Sequence, residues 1–476
     1  YNVFIVAQDG AWEFDTLADY EAGVASSFDA NNAKTGNVSD AAAAFDYGLT
    51  SFYLMDEYAY SDRLSLTAGI RYDEYDSDDD PAKNAAFEST YGFANAGIAG
   101  TDLLNIRLGM DLVIDEVSDI NVTYGTYSAK LPAVWISNAY TNDGVRVSAY
   151  SSSNAAAGCD PLTSAGSGLP ACVQDAIKNA PLTDSKIDFI APSFEWPDSR
   201  ILNITYERDL PRDMDMTVTY LKSKQEEALY KVIDTGYPLI GDTPTVPTEL
   251  APDGRPIYNM TGRRTYKAGL YNDCCGEREV ISATLNKSFR GGDTVVSLSY
   301  TGQDSTELNG MTSSTSNSNY GKTGAIDFNN RRPMTSVYET EHRVLATLRS
   351  KHYFFGADKP TTFTLIYERK SGLPAYPTFD TFTGWTGDYK TKAFGYDYNL
   401  NDDSSSMLYI PTRNDPKVCY SYKCYTEGSA DAIAREKAVL DLLYGVFGLE
   451  GKAGQIADRG SMTFPSQTSL DFKVTQ

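Results

Sequence analysis

The chain has 476 residues, a formal net charge of -23 and a 12% aromatic content that includes 34 tyrosines. No strong basic run segregates its cations, which sets nucleic-acid binding aside, and no apolar run approaches the ~18 residues that a membrane helix needs. A length that would make two or three soluble domains also suits one closed β architecture.

The chain opens at Tyr1 without Met or a charged-then-apolar leader, so any signal peptide is expected to have been removed or to lie outside this sequence. Residues 1–6 (YNVFIV) read as a strand or loop edge, and the Gly- and Ala-rich segment up to residue 44 carries no diagnostic pattern. Residues 49–73 (LTSFYLMDEYAYSDRLSLTAGIRYD) read as two long strands joined by almost no turn. In the second strand Leu64, Leu66, Ala68, Ile70 and Tyr72 alternate with Ser65, Thr67, Gly69, Arg71 and Asp73. That two-residue period gives one apolar and one polar face. A slip of one residue would turn Arg71 onto the apolar side, so the register is fixed.

Residues 73–101, with Asp76, Asp78, Asp79 and Asp80 close together, read as a long acidic loop. The next strand carries Ile106, Leu108, Met110, Leu112 and Ile114, and a tight turn at 116–119 returns the chain through Ile120, Val122 and Tyr124. Leu202, Ile204 and Tyr206 precede a turn at 211–213, from which Met214, Met216, Val218 and Tyr220 return. Ile281, Ala283, Leu285 and Phe289 lead to Gly291 and Gly292, and Val296, Leu298 and Tyr300 follow. Val344, Ala346 and Leu348 are answered by Phe363, Leu365 and Tyr367, and Leu470, Phe472 and Val474 begin a last strand.

Two regularities emerge. Short connections alternate with long polar ones, which cover 128–198, 224–276, 304–341 and 371–466 in addition to 73–101. Each return strand ends in apolar-x-apolar-x-Tyr, at Tyr72, Tyr124, Tyr220, Tyr300 and Tyr367, so the tyrosines are expected at one height. Spacings this uneven exclude a solenoid or propeller. The fold expected is all-β, an antiparallel transmembrane β-barrel of the outer membrane of a Gram-negative bacterium. Its strands of ~9–11 residues would have periplasmic short turns, extracellular long loops and aromatic girdles, and closure would satisfy the backbone in lipid. A soluble sandwich also alternates, but it has no reason to gather its long loops at one end or its tyrosines at one level. Arg208 and Lys287 fall on the apolar parity close to short turns, where their stems can reach the interface. Eleven strands are counted, whereas single-chain bacterial barrels have an even number. The chain is therefore expected to be the C-terminal half of a barrel, lacking strands at both ends.

The stretch FYLMDEYAYSDRLSLTAGIRYD resembles a strand pair of TonB-dependent outer-membrane receptors, and more narrowly of their Oar-like branch. The segments TDSKIDFIAPSFEWPDS, KQEEALYKV, ERKSGLPAYP, YDYNLNDDSSSMLYIP and GQIADRGSMTFPSQTSLDFKVTQ follow in the same order. The resemblance spans nearly the whole chain. It implies a twenty-two-stranded barrel closed by an N-terminal plug and energised by the TonB complex through a TonB box; this sequence contains neither plug nor box. The function implied is ligand capture by extracellular loops followed by import, against the alternatives of a non-transporting adhesin or partner-docking barrel and of a soluble β-rich secreted protein. Outer-membrane lipid and lipopolysaccharide are the surrounding partners expected.

All six cysteines fall in the long loops. Cys159 with Cys172 and Cys419 with Cys424 are expected as local staples, leaving Cys274 and Cys275 as a vicinal pair or as partners of something unseen. Trp135, Tyr140 and Trp385 are loop aromatics suited to stacking on a ligand or on neighbouring loops. Arg263 and Arg264, near Tyr258 and Tyr266, are candidates to grip an anionic or sugar-like ligand. Asp397, Asn399, Asn401 and Asp403 place oxygens at alternate positions like the start of a calcium loop, yet the turn glycine and distant Glu are missing, which favours a solvated turn. The acidic run at 76–80 reads as a loop tip, with divalent ions near lipopolysaccharide as the alternative. A helix is expected over 429–444, capped by Ser429, with Ile433, Leu440 and Leu443 on one face and Gly445 ending it, as a packing element over the barrel mouth. No nucleophile elbow, phosphate loop or paired-histidine motif points to an enzyme, and apart from the calcium reading no cofactor is expected.

Overall fold

The computed structural model describes residues 10–95, 97–128, 131–152, 162, 168–182, 187–233, 249–257, 267–379, 406–418 and 428–476. All eleven strands expected from the alternation form, and they lie in one antiparallel sheet whose spatial order is their chain order. They are β1 (Gly48–Ser61), β2 (Leu64–Asp76), β3 (Thr101–Asp115), β4 (Ser118–Ser128), β5 (Asp198–Leu210) and β6 (Met214–Ile233). The path continues through β7 (Lys267–Phe289), β8 (Thr294–Glu307), β9 (His342–His352), β10 (Thr361–Lys370) and β11 (Gln467–Thr475). β1 and β11 are its two edges. The short connections are tight enough to need left-handed backbone at Arg212 and Asp213 and at Arg290, Gly291 and Gly292.

The outward face is apolar and uncovered: Ile106, Leu108, Ile281, Leu298 and Phe472 are 44–66% exposed. In water such a surface would be an aggregation hazard, and in a bilayer it is the lipid contact. The inward face is a ladder of small polar groups, with Thr205 hydrogen-bonded to Thr219 at 3.3 Å and Thr284 to Ser299 at 2.9 Å. Arg208 donates to the Tyr206 hydroxyl at 3.2 Å, and Lys287 lies 5.1 Å from the Phe289 ring centroid, so both cations on the apolar parity run along an aromatic beside a short turn.

Strand register shows how the tyrosines stand. Tyr124 shares a row with Leu108 and Ala68, four residues short of Tyr72. It also shares a row with Leu202 and Lys222, two residues beyond Tyr220. Tyr220 is in line with Ile281 and Gly302, two beyond Tyr300, and Tyr300 with Val344 and Arg369, two beyond Tyr367. Every step runs the same way, at ~1.25 residues per strand. With ~3.4 Å of rise and ~4.8 Å between strands, a level ring of tyrosines therefore requires strands tilted by about 40°, within the 35–45° of membrane barrels. The next outward positions above the ring include Glu74, Asp102, Arg200, Lys222, Glu279, His342 and Arg369. Two cross-strand ion pairs, Lys222–Glu279 at 2.6 Å and Lys224–Glu277 at 3.6 Å, stand there. The exterior thus passes from apolar to charged at the tyrosine level, which marks the membrane boundary.

Above that boundary the connections fold into a cap. One core gathers Tyr75, Phe87, Ile136, Phe189, Trp196, Tyr230, Leu270 and Leu308 from connections and strand ends far apart in the chain. The connection expected over 224–276 is shorter, because β6 runs to Ile233 and β7 starts at Lys267. Leu229, Tyr230, Leu270 and Tyr271 are all buried there, so the alternation that signals a half-buried strand disappears while the pairing continues. Likewise β8 extends to Glu307, and Met334–Thr335 pairs back onto it. The N-terminal segment without a diagnostic pattern supplies Ala11–Glu13 and Ser27–Ala33, which pair in a small sheet with Val147–Ser151. Phe28 and Ala30 of that sheet pack on Val173 and Ile177 of the helix Ala171–Lys178.

The helix inside 371–466 spans Ala430–Leu440, and Ser429 caps it by accepting from the Ala432 N–H at 3.2 Å. Two expectations for it are corrected. Gly445 does not end it, since a π-helical turn at Asp441–Val446 carries the chain on to the left-handed Gly448. Ile433 is 58% exposed, because the loop core of Met407, Ile410, Leu443 and Leu449 lies on the side of Leu440 and Leu443.

Candidate functional site

Where the cap meets the inward face of the wall there is a cavity of about 430 Å³, lined among others by Trp135, Glu227, Arg278, Ser305, Met311 and Tyr338. A bulge builds its floor. Cys275 is the extra residue between Gln225↔Gly276 and Glu226↔Cys274, a bulge on β7 that faces an unbroken β6, on which Glu227 keeps the inward parity of Thr219. A Cβ on Gly276 would meet the Glu227 carboxylate at 2.4 Å and the Thr306 carbonyl at 2.7 Å, so only glycine admits this approach.

Glu227 accepts from the Leu308 N–H at 3.0 and 3.1 Å and from the Asn309 N–H at 3.1 Å. These are the first residues past β8, so a carboxylate on one strand anchors the connection leaving another. Glu307 accepts from the Ser336 hydroxyl at 2.7 Å and the Val337 N–H at 3.0 Å. It also pairs with Arg459 at 3.3 Å. Arg459, 2% exposed, donates in addition to the carbonyl oxygens of Glu307 and Met334. Arg331 donates to the Tyr320 and Thr323 carbonyls, and burial, aided by repulsion from Arg459, pulls its pKa down to about 10. One polar network therefore ties the connections 308–341 and 371–466 to the wall.

Burial pushes the Glu227 carboxyl up to about 7, against the two N–H groups that favour its charge. Because the folded value lies above the ordinary 4.5, the stability linked to this group is complete below about pH 4.5 and is lost as pH rises through about 7. The loss is on the order of 3 kcal/mol. We expect protection of the Leu308 and Asn309 amides against hydrogen exchange, corrected for intrinsic rates, to fall between pH 5 and pH 8. Glu227→Gln should flatten that dependence; an unchanged slope in the variant would assign it to another group.

Trp135 reaches the cavity from the helix Ala133–Thr141, its indole N–H held at 2.8 Å by the Ser313 carbonyl. Tyr140 of the same helix is placed differently: it is 1% exposed, stacked on Phe45 at 4.3 Å, and donates to the Asp79 carbonyl at 2.8 Å. The packing face of the helix takes it into the loop core, where burial raises its pKa to about 12. Asp79 of the acidic run accepts from the Asp46 N–H at 2.7 Å, which makes the run part of a hydrogen-bonded loop. Cys274 and Cys275 are disulfide-bonded to each other, and Cys172 is disulfide-bonded. Cys159, Cys419, Cys424, Tyr258, Arg263, Arg264, Tyr266 and Trp385 lie outside the described residues, as do Asp397, Asn399, Asn401 and Asp403. The sequence reading missed Glu227, Glu307 and Arg459. Its one available signal was the bulge-prone run Cys274–Cys275–Gly276 breaking an alternating strand.

A sequential antiparallel sheet with an apolar exterior, a polar interior, a tyrosine ring and a loop cap at one end defines the wall of an outer-membrane barrel. The chain belongs to the outer membrane beta barrel domain family, which it matches over residues 4–348, and it resides in the outer membrane of a Gram-negative bacterium. Among solved structures it is similar to the outer membrane transporter YddB from Escherichia coli, at 9% identity and a TM-score of 0.38, covering 72% of this chain and 36% of that one. It is also similar to the FrpB iron transporter from Neisseria meningitidis (F5-1 variant), at 9% identity and a TM-score of 0.35, covering 69% and 34%. A third is the siderophore receptor PirA from Pseudomonas aeruginosa, at 10% identity and a TM-score of 0.30, covering 68% and 44%. The chain thus spans between about a third and under a half of these structures. No curated protein matches it.

Proposed function

We propose that the chain is the C-terminal half of a TonB-dependent receptor of the Oar-like type, within a twenty-two-stranded barrel that captures a ligand in its extracellular cap and imports it. The observation that supports this reading is the cavity between cap and inward wall, because a ligand held there already stands at the mouth of the lumen. The mixed lining of Trp135, Tyr338, Met311, Arg278 and Glu227 suits a polar ligand with an apolar face. In this reading Tyr258, Arg263, Arg264, Tyr266 and Trp385 complete the capturing surface, and Asp397, Asn399, Asn401 and Asp403 offer oxygens to a calcium ion. Cys159–Cys172 and Cys419–Cys424 staple the loops, and the charged band above the tyrosines meets lipopolysaccharide.

The test uses the full-length parent protein, extracted in detergent from outer membranes and passed over immobilised TonB C-terminal domain. Retention that is lost when the TonB box is deleted supports import. A heat-modifiable barrel that is never retained would point to adhesion or partner docking.

A further inference from the structure

One residue breaks the lipid-facing rows. On β1 the outward row runs through Phe52, Leu54, Asp56 and Tyr58, which stand opposite Tyr72, Ile70, Ala68 and Leu66 of β2. Among the described residues Asp56 is the only carboxylate in the outward rows between the tyrosine ring and the short turns. It lies four residues below Phe52, the partner of Tyr72, and six above Asp62 in the turn. At ~3.4 Å of rise and a tilt of about 40°, that is ~10 Å or more beneath the ring and ~16 Å above the turn, within the apolar band. Arg208 and Lys287 share this parity, but each runs along an aromatic beside a short turn. The aspartate side chain is too short to reach either interface in that way.

The wall itself leaves this acid unmet. Directly across from it stands Ala68, whose methyl offers no donor, and among the described residues no hydrogen bond or ion pair reaches the carboxylate. Its other side is open, because β1 is an edge of the sheet. The backbone groups along that edge also need partners in a bilayer. β11, the opposite edge, does not fit there: eleven antiparallel strands in chain order leave β1 and β11 running in the same direction. The outward row of β11 is moreover Leu470, Phe472 and Val474, which holds no donor for a carboxylate.

We propose that a further wall strand of the parent protein pairs with this edge of β1 and carries an arginine or lysine on its lipid-facing side beside Asp56, so that the two charges meet within the bilayer. A hydroxyl would hydrogen-bond the carboxylate yet leave its charge, and a lone charge in hydrocarbon is far costlier than a paired one. Directly opposite and diagonal cross-strand positions, ~5 and ~7–8 Å away, both lie within reach of a long basic side chain. This pairing rests on the reading of the chain as part of a larger barrel, and it names the charge that the adjoining strand brings.

The experiment is urea unfolding of the full-length parent in lipid vesicles, followed by the band shift on heating. Asp56→Leu should lower the folded-to-unfolded ratio by about a hundredfold or more, because it leaves the partner's charge alone in lipid. Asp56→Asn should act in the same direction, and Glu57→Gln, which alters the neighbouring acid on the inward face, should change little. Replacing the basic residue by leucine as well should recover most of the loss, since both charges are then gone. A carboxylate that faces lipid alone gives the opposite sign, as Asp56→Leu then removes a cost. A wild type that shifts while Asp56→Leu is equally or more stable would overturn the pairing alone. A wild type without a band shift would overturn the barrel reading and the pairing with it.

Discussion

Replacing Arg459 by methionine is expected to release the extracellular cap while leaving the barrel wall folded. The guanidinium is buried and pairs with Glu307 at 3.3 Å while donating to carbonyls at the end of β8 and at Met334. Methionine keeps much of the volume but none of the donors, so the largely buried Glu307 loses its cationic partner and keeps only the Ser336 hydroxyl and the Val337 N–H. Breaking a buried pair from one side costs about 3–5 kcal/mol, a large share of the stability of a loop assembly. Because Arg459 belongs to one connection and its partners to another, the loss should be read locally. Limited trypsin digestion of the full-length parent should cut within 308–341 far faster in the variant, and the heat-modifiable band should persist. A double variant, Arg459→Met with Glu307→Gln, should recover part of the protection. Unchanged digestion in the single variant would mean that the cap is held elsewhere, with Glu227 and Arg331 the next groups to change.

The second large effect concerns the lipid face. Met110 on β3 stands between Leu66 of β2 and Val122 of β4, in the outward row well below the tyrosine ring. An arginine there is too far from either interface for its stem to reach water easily, and it should cost about 2–4 kcal/mol. Thr123→Arg, one residue from Val122 along β4 but on the inward face opposite Gly109 and Asn203, should cost far less. Folding yields of the two full-length variants into lipid vesicles, followed by the band shift on heating, give the comparison. Equal yields would contradict the assignment of the apolar parity to lipid.

What the sequence reveals and what it hides follow from the same physics. Wherever one strand face meets lipid and the other a polar interior, the period of two is written into the residues, so all eleven wall strands are legible from Leu49 to Val474. The pattern fails where both faces become buried: Leu229, Tyr230, Leu270 and Tyr271 carry the ladder into the cap without alternating. Ser27–Ala33 is hidden for another reason, since its near partner, Ala11–Glu13, is only three residues long, its other partner lies beyond residue 146, and only Phe28 and Ala30 face the small core. The candidate site was least legible. Trp135 stands out by type, but Tyr140 beside it has the same chemistry and is drawn into the loop core by its place on the helix. Glu227 looks like any other acid in QEEAL until β6 is seen to run on past Tyr220, which places it on the inward parity. Arg459 becomes informative only when 371–466 folds back on β8.

The regular offset of the tyrosines carries one more consequence. At a tilt of about 40°, neighbouring strands ~4.8 Å apart each take up ~6 Å of perimeter, so the eleven strands draw an arc of ~70 Å. Joined to a second arc of equal length, they would enclose a mouth about 45 Å across. That opening would seat a folded body of about 100 residues, whose radius of gyration is ~13 Å. The spacing of five tyrosines along the chain thus sets the share of the perimeter that each strand contributes, and the number of strands then sets the size of the opening.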